Sequence, residues 1–259
     1  MPDAREIVDR FFSIRLGVSV ADLKPGQVAV ATCERRTFAE RGDGFVRLMW
    51  ALHFGDRGAM SVHPAALAEV SRLAWGLTPD DVLTEGFLDR AHAAFQAALP
   101  AATLNVGGTG VKLYHPGAAA PVHAEGEVRV LTPYGQARWA GERVYTYDVG
   151  HPSVARGEAF GLFLGDRLVA EVITHESSVA EMAHLIAEDG IEVAEEYRAR
   201  GYGKALFAAW TRDMQARGRV CVHGTAADNT ASIALAHSVG YLDYAHQRSV
   251  TFSPPDQPT

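Results

Sequence analysis

Ten consecutive residues concentrate the chemistry of this chain: Tyr197-Arg198-Ala199-Arg200-Gly201-Tyr202-Gly203-Lys204-Ala205-Leu206. Two glycines one residue apart stand behind two arginines and ahead of a lysine. Glycine lets the backbone turn tightly and lie close to a ligand. The run from Gly190 to Ala194 before this stretch reads as a strand, and Lys204 to Arg217 after it reads as a helix. The first N–H groups of a helix have no partner within it, and with the positive end of the helix dipole they suit a phosphate or pyrophosphate. Arg198, Arg200 and Lys204 add charge at that end. Surface charge near a helix start is the plain alternative, so spacing has to decide. In a P-loop a magnesium-binding hydroxyl would stand at Ala205, and in a dinucleotide loop a third glycine would stand at Leu206. What the residues fill is R-x-x-G-x-G, with Arg198, Gly201 and Gly203.

A second pattern lies downstream. Asn229, Ser232, Leu235, Gly240 and Tyr241 provide an asparagine, a small residue three later, a leucine three after that, and a closing glycine–aromatic pair. One helix and one strand fit between the two patterns. In this order and with these elements between them, the two resemble the signatures of the GNAT superfamily of acetyl-CoA-dependent N-acetyltransferases, over about Val128 to Phe252. The resemblance implies a mixed, twisted sheet with flanking helices, in which two neighbouring parallel strands splay apart and admit pantetheine. Here these would be the strand ending at Ala194 and the one from Arg219 to Gly224. It implies that the backbone of Ile191, Val193 and Ala194 pairs with the pantetheine amides as an added strand. The pyrophosphate would lie on Arg198 and on the segment Arg200, Gly201, Tyr202, Gly203 and Lys204, with Asn229 and Ser232 reaching the cofactor from the last helix.

Acetyl transfer from a thioester to an amine needs a neutral nucleophile, alignment of the two reactants, and stabilisation of the carbonyl oxygen. The base expected from the strand is Glu192, which faces away from Ile191 and Val193 by strand alternation; a sheet-surface glutamate is the plain reading. His223, in the neighbouring strand, is the second candidate, against a structural histidine bonded to a loop. Many members of the family place an acidic tyrosine one residue after the leucine of the second pattern; here that residue is Ala236. Tyr241, Tyr244, His237 and Ser238 are the possible replacements, with Tyr241 carried as a catalytic candidate although an aromatic there usually belongs to the core. The eleven histidines show no H-E-x-x-H spacing, so no metal site is expected. Tyr145 and Tyr147 fit a substrate opening or a strand face equally. Trp50, Trp75, Trp139 and Trp210 are expected in the core, and Glu195 and Glu196 in solvent.

The elements that would position these residues follow from periodicity. Helices are expected over Arg5–Arg15 capped by Asp3, from Pro64 to Trp75, and from Thr84 or Glu85 to Ala98. Strands are expected over Gln27–Thr32, Phe45–Phe54 and Met60–Val62, with a turn between the last two. Ala102–Val106 and Val111–Tyr114 suggest a hairpin around Gly107–Gly110. Pro133–Glu142 reads as a partial helix. Glu158–Leu164 and Leu168–His175 read as a hairpin around Gly165-Asp166-Arg167. Met182–Glu188 and Gly190–Ala194 are one bent strand or two pieces. Tyr241–Tyr244 and His246–Phe252 close the chain as strands. Pro116-Gly117-Ala118-Ala119-Ala120-Pro121 is the best domain boundary. It separates an α/β N-terminal domain (1–120), either a degenerate GNAT-like copy or an unrelated cap, from the acetyltransferase domain (121–253) and a loose tail (254–259).

The net charge of −7 over 259 residues argues against a nucleic-acid binder, which needs a basic face. It is compatible with a cationic amine, though it is also simply a soluble composition. No apolar run spans a membrane, and the charged N-terminus is unlike a signal peptide. Two cysteines, Cys33 and Cys221, suggest reduced thiols and a cytoplasmic protein. The expected function is transfer of acetyl from acetyl-CoA, by direct attack, to a primary amine, probed first as a small molecule. Rivals are an acyl-CoA-binding sensor without turnover, a protein N-terminal or lysine acetyltransferase, and transfer to a hydroxyl. The chain is expected as a monomer or homodimer.

Overall fold

The computed structural model describes residues 3–39, 45–132 and 150–253. In chain order its elements are α1 (Ala4–Leu16), β1 (Val28–Thr32), β2 (Val46–His53), β3 (Gly58–Val62), α2 (Leu67–Ala74), α3 (Glu85–Ala98), β4 (Leu104–Val106), β5 (Gly110–Tyr114) and β6 (Glu127–Val130). There follow α4 (Pro152–Ala155), β7 (Phe160–Leu164), β8 (Arg167–Thr174), β9 (Ile186–Val193), α5 (Tyr202–Ala216), β10 (Val220–Ala226), α6 (Thr230–Val239) and β11 (Leu242–Phe252). It is a mixed α/β architecture. The partial helix expected over Pro133–Glu142, with Trp139, Tyr145 and Tyr147, lies outside the described residues, as does the tail from Pro254.

By contact the chain divides into two compact units that are not contiguous in sequence. The first runs to Lys112 and adds Thr225–Asn229 and the chain from Asp243 onward. The second holds Leu113–Gly224 and Thr230–Leu242. Reading composition alone puts a single boundary at Pro116–Pro121, because a strand that returns from the far end of the chain leaves no compositional mark.

In the first unit β1 pairs parallel with β3, β3 antiparallel with β2, and β2 antiparallel with β11. The Asp3 side chain accepts from the Arg5 amide and caps α1, and Gly17 closes the helix in a left-handed conformation at φ 73°. The core gathers Leu48, Met49 and Ala51 of β2, Met60 and Val62 of β3, Val70 of α2, and Phe87, Leu88 and Phe95 of α3. Two sequence expectations change here. Ala102–Val106 does not form a hairpin with Val111–Tyr114. Instead β4 pairs with β11, Leu104 opposite Phe252 and Val106 opposite Val250, and the Gly107 amide continues that ladder to the Ser249 carbonyl. The two closing strands are one, β11, with a bulge between Val250 and Thr251.

In the second unit the strand order is β10-β9-β8-β7-β6, with every pair antiparallel except β9 with β10. Gly165 at φ 63° makes the tight β7–β8 turn. The stretch from Met182 to Ala194 resolves into one strand, β9, after a 3-10 turn at Ala180–Met182. Among the described residues no helix is long and apolar enough to cross a membrane.

Candidate active site

The centre of the second unit is a fork. β9 runs parallel to β10 only where Ile186, Ala187 and Glu188 face Val220, Cys221 and Val222. On its other edge β9 stays paired with β8 through Asp189, Gly190, Ile191, Glu192 and Val193. The β9–β10 ladder therefore ends at Glu188 and Val222, and the two strands expected to splay are these two. Ile191, Val193 and Ala194 lie on the β9 arm, and His223 is the first residue of β10 beyond its last pairing with β9.

The β9 arm leads into the glycine loop. Glu195–Tyr197 form a 3-10 turn, Ala199 is left-handed at φ 59°, Gly201 is left-handed at φ 84°, and α5 begins at Tyr202. The helix thus starts two residues earlier than periodicity suggests, and Gly203 belongs to its first turn. The two glycines have different causes. Gly201 serves the left-handed backbone, and a Cβ added there would meet nothing within 4 Å. Gly203 serves packing: a Cβ would stand 3.0 Å from Val193 Cγ2 and 3.6 Å from Leu235 Cδ2. A non-glycine residue at positive φ, such as Ala199, is strained by about 1–2 kcal/mol, and strain of this kind gathers at ligand sites. Tyr202 is buried, whereas Arg200 and Gly201 are exposed and Lys204 is half-buried. The Arg200 guanidinium lies 5.5 Å from the centre of the Tyr197 ring. Glu195 and Glu196 are exposed, and Glu196 pairs with Arg167 at 3.0 Å.

Arg198 does not stand free beside this loop. Its Nε donates to the Val193 carbonyl at 3.0 Å and its Nη2 to Glu192 Oε1 at 2.8 Å. The pair is solvated, the two side chains being 58% and 42% exposed. Two residues assigned to separate tasks by sequence thus share one ion pair. Asp189 stands three positions from Glu192 on the same strand, so its side chain leaves the opposite face of the sheet.

The buried charge at the fork is a different carboxylate. Asp189, with a side chain 0% exposed, holds His223 Nδ1 at 2.9 Å, and His223 Nε2 lies 2.8 Å from Ser232 Oγ on α6. A carboxylate oxygen can only accept, so Nδ1 carries a proton, and in the neutral imidazole Nε2 then offers its lone pair to the serine hydroxyl. Phe207 of α5 packs edge-on against the imidazole with centroids 5.5 Å apart. Sequence reasoning reached His223 and Ser232 separately and missed Asp189, because the register at which the β9–β10 ladder ends leaves no mark in the sequence.

The structure corrects the catalytic expectation for Tyr241. Its ring is 1% exposed, stacked on Phe207, and its hydroxyl is bonded to Thr211 Oγ1 at 2.9 Å. Burial, with Cys221 and Asp189 nearby, pushes its hydroxyl well above the usual phenol range. It is a core residue. Of the other acid candidates, Tyr244 is buried and donates to Asp9 at 2.8 Å, and Ser238 is exposed and donates to the Leu235 carbonyl at 2.8 Å. His237 is exposed in the last turn of α6. Trp50 and Trp210 are buried as expected, but Trp75 is exposed. Cys221 is buried, and burial pushes its thiol up. Asn229 falls in the first unit, directly ahead of α6 in the chain, its amide donating to the Ala226 carbonyl at 3.1 Å. Among the described residues no cluster of His, Cys, Asp and Glu could hold a metal ion.

Comparison with known proteins bears on the second unit. Residues 132–241 match the model of the acetyltransferase (GNAT) family. No curated protein matches the chain. Among solved structures, a GNAT-family acetyltransferase from Colwellia psychrerythraea is 16% identical, with 61% of this chain and 60% of that one covered at a TM-score of 0.47. This chain therefore spans about 60% of that protein's length. A GCN5-related N-acetyltransferase from Sphaerobacter thermophilus is 14% identical over 64% of this chain and 58% of that one, with a TM-score of 0.45. A GCN5-related N-acetyltransferase-like protein from Streptococcus suis is 13% identical over 65% and 68%, with a TM-score of 0.43. The likeness to the acetyltransferase (GNAT) family thus covers residues 132–241 of this chain.

Proposed function

We propose that the chain is an acetyl-CoA-dependent N-acetyltransferase that moves the acetyl group to a primary amine by direct attack, with a small-molecule amine as acceptor. The observation that carries this reading is the fork of β9 and β10 leading into the left-handed Ala199–Gly201 loop and the start of α5. The fit to a pyrophosphate rests on that loop: Gly201 is open on its outer side, and the first amides of α5 follow it directly. Arg200 and Lys204 would add charge, and Arg198 would turn from Glu192 to join them. The β9 arm from Ile191 to Ala194 would offer backbone groups to the pantetheine. Acetyl-CoA supplies the activated acyl group. The protein's part is to align the amine, remove its proton and keep water out.

Between the two base candidates, the surroundings favour His223. It is buried and oriented by Asp189, whereas the Glu192 carboxylate is exposed and bonded to Arg198. A second reading, an acyl-CoA-binding sensor, is favoured by one observation. Ala236, where many of the family carry an acidic tyrosine, presents only a buried methyl group. Thiol release from acetyl-CoA with a panel of primary amines separates the two. Release driven by an amine supports the enzyme; binding without release by any amine supports the sensor.

The loop assignment has its own test. Gly201→Val places a branched residue at positive φ, and Gly203→Val drives a side chain into Val193. Both variants are expected to keep a cooperative melt and lose acetyl-CoA binding at least tenfold by calorimetry. Unchanged affinity in a folded Gly201→Val protein would remove the pyrophosphate from this loop.

A further inference from the structure

Asp189, His223 and Ser232 come from β9, β10 and α6 and meet in one hydrogen-bonded line, Asp189 to Nδ1 at 2.9 Å and Nε2 to Ser232 Oγ at 2.8 Å. Each end of the line has a distinct character. Asp189 and His223 are buried, whereas Ser232 is half-buried on the second unit's last helix, so its hydroxyl is the member within reach of a ligand. Ser232 also stands one helical turn before Ala236. Tyr241 has its ring 6.4 Å from the imidazole, and Cys221 stands two residues before His223 on β10. Burial pushes both of these up, so at neutral pH they stay uncharged.

We infer that these three residues form a proton relay for acyl transfer, in which Ser232 is the catalytic residue that touches the reactants, His223 stores the proton, and Asp189 positions the imidazole. The inference rests on the acetyl-transfer reading above. As the nitrogen–carbon bond forms, the amine proton passes to Ser232 Oγ while the serine's own proton passes to His223 Nε2. The imidazolium is held beside the Asp189 carboxylate. As the carbon–sulfur bond breaks, the proton returns through Ser232 to the leaving sulfur. The net change is one proton moved from nitrogen to sulfur, with no oxidant, reductant or metal. Without Asp189 the imidazole could take the other tautomer and present an N–H to Ser232, which cannot accept a proton.

The test uses the full chain, acetyl-CoA, the best alkyl amine of the thiol-release panel, and hydroxylamine, a weakly basic amine that needs less help to lose its proton. Ser232→Ala, His223→Gln and Asp189→Asn are expected to lower kcat with the alkyl amine by about 100-fold or more. The KM for acetyl-CoA should move only a few-fold, and the acidic limb of the pH–rate profile should vanish in His223→Gln. Loss with hydroxylamine should be much smaller, and Ser232→Thr should restore most of the rate. Nitrogen-15 NMR of the histidines supplies a readout without turnover: His223 should carry its proton on Nδ1 in the wild type and lose that preference in Asp189→Asn. Wild-type turnover with unaffected Ser232→Ala and His223→Gln variants overturns the relay alone. So does a His223 protonated on Nε2, or an acetyl ester trapped on Ser232, which would make it a nucleophile. A wild type that releases no thiol with any amine overturns the acetyl-transfer reading and the relay with it.

Discussion

Glu192 and Arg198 show how far residue-level reasoning reaches. Their types and positions were legible, the glutamate on a strand arm and the arginine in the loop after it, yet their mutual bond was not. It depends on the Arg198 side chain folding back to the Val193 carbonyl and then to Glu192, and side-chain direction in a loop carries no periodic signal. An exposed ion pair of this kind contributes about 0.2–1 kcal/mol. If the phosphate must draw Arg198 away from Glu192, that energy opposes cofactor binding. Glu192→Gln is therefore expected to tighten acetyl-CoA binding about two- to five-fold by calorimetry, with the thermal midpoint and the pH–rate profile little changed. A lost acidic limb in this variant would return Glu192 to the role of base and count against His223. The two glycines show the same limit in another form. Their spacing singled out the loop, but only the structure separates Gly201, required by its left-handed backbone, from Gly203, required by the side chain of Val193.

At the scale of elements, local periodicity placed most helices and strands of both units, since each buries one face or run. The unexpected pairings are those between partners far apart in sequence. β4 was expected to turn back on β5 because Gly107–Gly110 lie between them, but its partner is β11, beyond residue 240. A similar long-range tie anchors the second unit. Glu158, just ahead of β7, accepts from Arg156 Nε at 2.7 Å and from Arg219 Nη2, just ahead of β10, at 2.7 Å. Arg217, at the end of α5, donates to the Gly157 carbonyl at 2.7 Å. Burial pushes the Glu158 carboxyl up, but the hydrogen bonds and charges of Arg156 and Arg219 outweigh it and hold the group below its ordinary value. A carboxyl with a lowered folded-state value contributes its stability in full above its unfolded value, and loses it as pH falls through the folded one. Glu158→Gln is expected to destabilise the protein by about 1–3 kcal/mol at pH 7, less than a fully buried pair because both arginines are partly exposed. In urea titrations from pH 7 to pH 3, the gap between wild type and variant should close below about pH 4. A gap that stays constant to pH 3 would show that Glu158 acts by packing and not by charge.

For the whole molecule, the division by composition and the division by contact differ most. A boundary at Pro116–Pro121 implies that residues 1–120 can fold alone. The contacts instead assign the chain from Asp243 onward to the first unit. β11 faces β2 from His246 opposite His53 to Phe252 opposite Val46. Its Val250 is fully buried, its Gln247 accepts from Trp50 Nε1 at 2.8 Å, and its Arg248 bonds Glu85 at 2.7 Å. Tyr244 at its start stacks on Phe12 with centroids 4.8 Å apart. Removing β11 strips β2 of its neighbour, exposes an apolar edge and leaves buried polar groups of the first unit unpaired. A chain ending at Leu242, which keeps the second unit's Tyr241, is therefore expected to lose the cooperative unfolding of the first unit. The emission of Trp50 should shift to the red, and the protein should aggregate at concentrations where the full chain stays monodisperse. The isolated fragment 1–120 should behave in the same way. Joining residues 241–253 to that fragment through a glycine–serine linker should restore the blue emission and a cooperative urea transition, since the strand then supplies its partners within one molecule. If 1–120 alone shows both, the N-terminal segment is an autonomous domain, and β11 is an accessory to it and not part of its core.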